Sequence, residues 1–335
     1  MKLIRFDGGA TGIVIGEADD SVVDLRASLD ALAAQDAGSA EALRSVFPQH
    51  NSSWIPLIEQ WDQVRGALAS LRELIEAGDP GLVILPMADV TLEPPLPDPA
   101  SKIFALGGNF AMHVKETVGQ IAPMPASISE GRAGGNPPWG FYVIPGTTVT
   151  HGAEVGPPKG IQKLDYEGEV AVVLRATGES GDVDAVRIWG FTAWNDLSIR
   201  DHVLGLSKED HGPTTWTLPK NFETGNSVGP WLVVNDAFDV NDLDMETRVN
   251  GEVRQKANTS EMAFSFAEVT AHISQWLSLG AGDMIISGAP GGTAMESGID
   301  GPFLEDGDIV EVEIEGVGIL RNRVSFSRST RQMVK

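Results

Sequence analysis

Residues 164–174 read LDYEGEVAVVL, and the way this stretch carries its charges decides what surrounds it. Val170, Ala171, Val172, Val173 and Leu174 follow one another without polar interruption, the pattern of a strand covered on both faces. Glu167 and Glu169 stand at the entrance to that buried run. Two residues apart on a strand, their side chains point the same way, roughly 6.6 Å from each other. Like charges that close are costly in half-buried surroundings unless something positive lies between them. A hard divalent cation meets the need, whereas the plain alternative is a strand end wetted by solvent. A third carboxylate, Asp196, follows in GFTAWNDLSIRD, residues 190–201.

The plain alternative is visible elsewhere in the chain. In DIVEVEIEG, residues 308–316, Val310, Val312 and Ile314 alternate with Glu311, Glu313 and Glu315, the signature of a strand with one wet face. Those glutamates read as solvated. Around Glu167 the alternation fails, which is why the two E-x-E segments invite different readings.

Composition narrows the function further. The 335 residues are enough for one large domain or two, and 42% hydrophobic with 21% charged residues is the balance of a folded globular chain. A formal net charge of −23 argues against nucleic acid or an anionic membrane as partner, because both are gripped through basic surface. With no cysteine there are no disulfides, thiolate zinc sites or thiol nucleophile, so any metal ligand is oxygen or imidazole. The N-terminus, MKLIRFDGGATGIVIG, lacks the layout of a secretory signal and reads as a hairpin, and no apolar run approaches the roughly 20 residues that span a bilayer. A cytoplasmic enzyme is expected.

Residues 1–95 read as a small N-terminal α/β domain, 96–101 as a linker within the proline-rich LEPPLPDPAS, and 102–335 as the catalytic domain. In the first part, VVDLRASLDAL predicts a strand passing into a helix. Leu57, Trp61, Val64, Leu68, Leu71 and Ile75 predict a second helix, capped by Ser53 and ended by Gly78 and Pro80. Beyond residue 102 short apolar strands alternate with glycine and proline turns. One helix is marked there by a Ser265/Glu268 capping box, a stripe of Phe266, Val269, Ile273, Trp276 and Leu277, and Gly280 as its end. Residues 122–138, rich in glycine, proline and small side chains, read as a loop or a lid.

Other residues gain meaning only in company. His113 and Glu116 lie three apart, side by side on a helix, where the carboxylate would raise the basicity of the imidazole; such a pair is also a common surface feature. Lys220 in LPKNFETGNSVGPW precedes an apolar strand. The glycines of SGAPGGTAMESG, residues 287–298, and of ALGGNF lack the full phosphate-binding fingerprints and read as tight turns shaping a pocket. His50, His151, His202, His211 and His272 have no partner spacing and read as structural or surface histidines, with RDHVLGLSKEDH able to bring one or two near the site.

Taken in order, KIFALGGNFAMHVKE, LDYEGEVAVVL, GFTAWNDLSIRD, KNFETGNSVGPW, VNGEVRQKANTSEM, LGAGDMIISGAPGG and EDGDIVEVEIEGVGILRNRV resemble the fumarylacetoacetate hydrolase family over most of residues 102–324. The resemblance implies an α+β, mainly β, rolled fold with a variable N-terminal domain, assembled as a homodimer. It implies that Glu167, Glu169 and Asp196 bind Mg2+ or Mn2+, with Ca2+ as an alternative. It assigns His113 and Glu116 as a water-activating dyad, Lys220 as a catalytic cation, and Arg200, Asn109, Gly288 and Ala289 to the substrate. The implied substrate is a small oxo acid. The leading expectation is hydrolysis of a C–C bond in an acylpyruvate or other 2,4-dioxo acid. Isomerisation, decarboxylation or dehydration at the same site, or a non-catalytic member of the family, are the alternatives.

Three positions depart from the family pattern. Ala289 stands where a threonine is common, Val203 where a glutamine often lies, and Ile144 where a lysine is usual. Each removes a polar group from the expected pocket. The metal and dyad positions are kept, so the chemistry class is better defined than the substrate.

Overall fold

In a computed structural model of the chain, the structure describes residues 1–47, 53–110, 131–176, 181–206, 217–234 and 238–326. The fold mixes helix and strand, with sheet predominant. The larger sheet runs, neighbour by neighbour, through Ile84–Pro86, Ser21–Asp24, Ala10–Ile15, Lys2–Phe6, Asn226–Val234, Arg187–Asp196, Gly168–Ala176, Met284–Ile286, Ile103–Gly107 and Trp139–Val143. A second sheet orders Glu252–Asn258, Asp244–Val249, Ile309–Ile314, Gly318–Val324 and Glu154–Val155.

The uninterrupted apolar run after Glu169 is explained by what lies on each side. Val170, Val172 and Leu174 enter a core with Phe191, Met245, Val312 and Leu320, between the two sheets. Ala171 and Val173 enter another with Ile286, Ala105 and the helix residues Leu29, Leu43 and Leu68. On the second sheet the alternation of 310–315 works as read: Val310, Val312 and Ile314 are each 1% exposed. The intervening Glu313 and Glu311 are partly exposed and pair with Arg248 at 2.6 Å and Arg321 at 3.2 Å.

The N-terminal hairpin Lys2–Phe6/Ala10–Ile15 forms as read, and its first strand pairs with Asn226–Val234, Lys2 opposite Val233. The proline-rich connector is fastened down: the Arg5 guanidinium donates to the carbonyls of Leu96 at 2.9 Å and Pro97 at 3.0 Å. The helix expected through Leu57 and Ile75 is broken at Gln60 into Ile55–Glu59 and Trp61–Ala77. The N-cap of the first piece is Trp54 rather than the expected Ser53, which lies one residue earlier and accepts from the Ile55 amide at 3.2 Å; Gly78 ends the second piece in the left-handed conformation, φ 67°.

The later helix, Phe266–Ser274, has its Ser265/Glu268 capping box but stops short of the expected end. Trp276 therefore lies beyond the last turn and is 80% exposed, a correction to its place in the apolar stripe, since helical spacing predicts nothing outside the helix. No helix among the described residues is long and apolar enough to cross a membrane.

The large sheet is curled. Thr148 is only five residue steps beyond Val143, and Thr148–Val149 pairs in parallel with Asn226–Ser227. Laid flat, the strands Trp139–Val143 and Asn226–Val234 would be five spacings apart, about 24 Å, whereas five residues reach at most about 18 Å. The sheet closes on itself as a roll, and the ends of its strands surround a mouth.

Candidate active site

Three carboxylates meet at that mouth for reasons of register. Gly168 lies opposite Asn195 and Glu169 opposite Trp194, and the Asp196 amide donates to the Glu167 carbonyl at 2.9 Å. Glu167, Glu169 and Asp196 therefore project from one face of two adjacent strands. One oxygen from each lies within 4.8 Å of the others, and all three residues are buried. The expected metal triad is brought together.

Between the two glutamates the chain leaves no room for a side chain. A Cβ on Gly168 would lie 2.0 Å from Thr247 Oγ1 of the second sheet. The Gly168 amide donates to Gln255 Oε1 at 2.9 Å, and Gln255 Nε2 donates to the Pro290 carbonyl at 3.0 Å, tying the E-G-E turn to the glycine-rich segment. Gly288, at φ +82°, donates its amide to Glu169 Oε2 at 2.7 Å.

The cations are committed to the same cluster. Lys220 Nζ bonds Asp196 Oδ2 at 2.7 Å and also bonds Glu167. Arg200 bonds Glu167 through Nη2 and reaches Asp165 Oδ2 through Nε at 3.0 Å. Asp165, fully buried, further accepts from the amides of Ala294 at 2.8 Å and Met295 at 3.1 Å. Asp165 was missed by the sequence reading although the signal was present: D-x-E-x-E places a third acid on the parity of Glu167 and Glu169.

Electrostatics follow from this crowding. Burial, then Asp196 and Glu167, pushes the Glu169 carboxyl well above the usual carboxylate range. Burial raises Asp196 to about 6, with Glu167 adding to the rise and Lys220 opposing it. Burial raises Asp165 as well, against the pull of Arg200. For Lys220 burial acts downward, but Asp196 and Glu167 outweigh it and the ammonium is held above its ordinary value.

The cluster fits a divalent ion. Asp165, Glu167, Glu169 and Asp196 oppose Arg200 and Lys220, an excess of two negative charges among the described residues. Glu169 Oε1 and Asp196 Oδ1 are buried with no hydrogen-bond partner among the described residues. Buried carboxylate oxygens need a partner, and an all-oxygen donor set suits Mg2+ or Mn2+.

The remaining site residues are placed as follows. Asn109 is 1% exposed, and its side chain bonds the Ser287 carbonyl at 2.9 Å, the Phe264 carbonyl at 3.1 Å and the Phe264 amide at 2.9 Å. Its amide group therefore braces the strand leading to Gly288. Ala289 is 4% exposed, next to that turn. Ile144 is 53% exposed, and its amide donates to Asn221 Oδ1 at 2.7 Å, beside Lys220. His113 and Glu116 lie outside the described residues.

Residues 102–325 match the family described as fumarylacetoacetate (FAA) hydrolase C-terminal, and the chain belongs to that family. Among its relatives, oxaloacetate tautomerase YisK of Bacillus subtilis is 32% identical over 249 residues, 73% of this chain and 76% of that protein. Maleylpyruvate hydrolase of a Sphingobium species, solved with manganese(II) and pyruvate, superposes with a TM-score of 0.66 at 26% identity, covering 97% of this chain and 99% of that one. The 2-hydroxyhepta-2,4-diene-1,7-dioate isomerase of Mycobacterium marinum superposes at 0.54 with 31% identity, over 72% of this chain and 81% of that one. Proteins named as hydrolase, isomerase and tautomerase thus stand among its relatives and structural neighbours.

Proposed function

We propose that this chain is a divalent-metal-dependent hydrolase that cleaves a C–C bond in an acylpyruvate or related 2,4-dioxo acid. The observation that carries the reading is the buried cluster whose two surplus negative charges and two partnerless carboxylate oxygens call for a doubly charged ion. Glu167, Glu169 and Asp196 would hold it. Such an ion supplies Lewis acidity that polarises a 2-oxo acid carbonyl and offsets charge on a departing enolate.

The protein groups around it have separable tasks. Arg200, anchored by Asp165, fixes the carboxylate of Glu167, and the Gly288 amide fixes that of Glu169. Lys220 stays protonated because its carboxylate neighbours outweigh its burial, so it supplies a positive donor where oxyanion charge develops. His113, oriented by Glu116, takes a proton from water in this reading, help worth about 10²- to 10⁴-fold. The superposition on a maleylpyruvate hydrolase over nearly the whole of both chains supports hydrolysis.

A second reading, tautomerisation or isomerisation of a 2-oxo acid, is favoured by the names of the similar curated relatives. It uses the same cluster and needs no attacking water. Turnover of acylpyruvates with Mg2+ or Mn2+ in 18O-labelled water separates them. Hydrolysis places label in the released carboxylic acid and yields pyruvate. Deuterium exchange at C3 of a 2-oxo acid with no acid released would replace the hydrolase reading by the second one.

A further inference from the structure

The roll carries an aromatic wall that the metal chemistry leaves unused. Continuing the pairing of Ala171, Ile286, Ala105 and Phe141 by two residues aligns Glu169, Gly288, Gly107 and Trp139 across four neighbouring strands, on one face. The two aligned positions between the metal ligand and Trp139 are glycines, Gly288 and Gly107. The Trp139 ring lies over Gly107, where a Cβ would come within 2.2 Å of it. From Glu169 to Gly107 is two strand spacings, about 10 Å.

The curl brings the same strand round to the catalytic cation. Asn221 Nδ2 donates to the Tyr142 carbonyl at 3.1 Å, and the Phe141 ring centre is 5.4 Å from Lys220 Nζ. Trp139 and Phe141, both half-buried, face the same way along this strand. They line the mouth from the strand next to Gly107, Phe141 against Lys220 and Trp139 over Gly107.

Charge decides what such a wall receives. Arg200 and Lys220 are already bonded to carboxylates, and with a divalent ion added the described cluster is neutral. One substrate carboxylate would be accommodated by the bound ion and Lys220. A second, on the distal end, would meet two aromatic faces whose quadrupoles repel anions, with Ile144 at the strand's end.

Resting on the proposed function, we infer that the substrate is a 2-oxo acid whose distal group is planar, apolar and uncharged, an aroyl or enoyl chain seated against Trp139 and Phe141. Such a contact contributes on the order of 1 kcal/mol per ring beyond area burial, roughly a fivefold gain each.

The test measures binding and turnover of three probes, pyruvate, benzoylpyruvate and oxaloacetate, on the full chain loaded with Mg2+ or Mn2+. Benzoylpyruvate is expected to bind at least tenfold more tightly than pyruvate. Trp139→Ala is expected to remove most of that gain while pyruvate affinity stays within twofold, and Trp139→Phe to restore most of it. Phe141→Ala serves as a second variant should the first fail to fold by circular dichroism. Pyruvate binding with no benzoyl preference, a preference untouched by both substitutions, or tighter binding of oxaloacetate would overturn the inference alone. Failure of every probe to bind or react with either ion would overturn the oxo acid reading beneath it as well.

Discussion

Asp165 shows what a single buried carboxylate does through its protein partners alone. It takes two amides from the start of the turn at Ala294 and holds Arg200, which in turn holds Glu167. Asp165→Asn keeps the shape and removes the charge, so Arg200 loses half its anchor. Metal affinity measured by calorimetry is expected to fall about 10- to 100-fold, the scale of lost support behind a metal ligand. Unchanged affinity would show that Arg200 needs no second carboxylate. The acidity of Asp196 makes a further prediction. Its native value of about 6 lies above the unfolded carboxylate range, so the metal-free folded state holds an extra proton between those limits. Without metal, this group's contribution to stability is lost as pH rises toward 6. Metal must displace the proton, so Mg2+ or Mn2+ affinity should climb as pH rises from 5 to 7, and the metal-induced rise in Tm with it. A pH-independent Tm gain across that window would contradict a proton-linked site. The triad itself was legible because spacing of two fixes a face. The tie of Asn109 to Ser287 and Phe264 was not, since nothing in ALGGNF tells whether an amide meets backbone or ligand.

At the level of elements, the E-G-E turn is where two sheets constrain one another. Gly168 has ordinary φ, so its need for glycine comes from its neighbours, chiefly Thr247 Oγ1, 2.0 Å from where a Cβ would sit, with Val312 Cγ1 at 3.2 Å. Gly168→Ala should lower stability by about 1–3 kcal/mol, the usual cost of overpacking, seen as a drop in Tm, and should disturb both flanking ligands. Thr247→Ala in the same chain opens the space, and the double variant should recover most of the loss. Additive losses in the two variants would place the strain elsewhere. Strands and caps were largely readable from sequence: the Ser265/Glu268 box and the left-handed Gly78 are short-range devices with their partners a few residues away. The break at Gln60 and the exposure of Trp276 were not. Both depend on where a helix stops, which periodic spacing does not encode.

Across the whole molecule, the pairing of Lys2–Phe6 with Asn226–Val234 was invisible in the sequence, because strand partners more than two hundred residues apart leave no local mark. Its consequence is mechanical. One apolar core includes Leu29, Leu43 and Leu68 from the leading segment together with Ala171, Trp194 and Ile286, on the face that carries the metal triad farther along the strands. Removing residues 1–95 would strip the helices from this core and leave the backbone of Asn226–Val234 without its Lys2–Phe6 neighbour, an unpaired edge beside bare apolar surface. A chain beginning at residue 96 should therefore aggregate or expose dye-binding hydrophobic surface, and the intact protein should melt in a single calorimetric transition. Two resolved transitions, or a truncated chain that remains monodisperse and binds Mn2+ with undiminished affinity, would mean that the catalytic part folds independently of what precedes it.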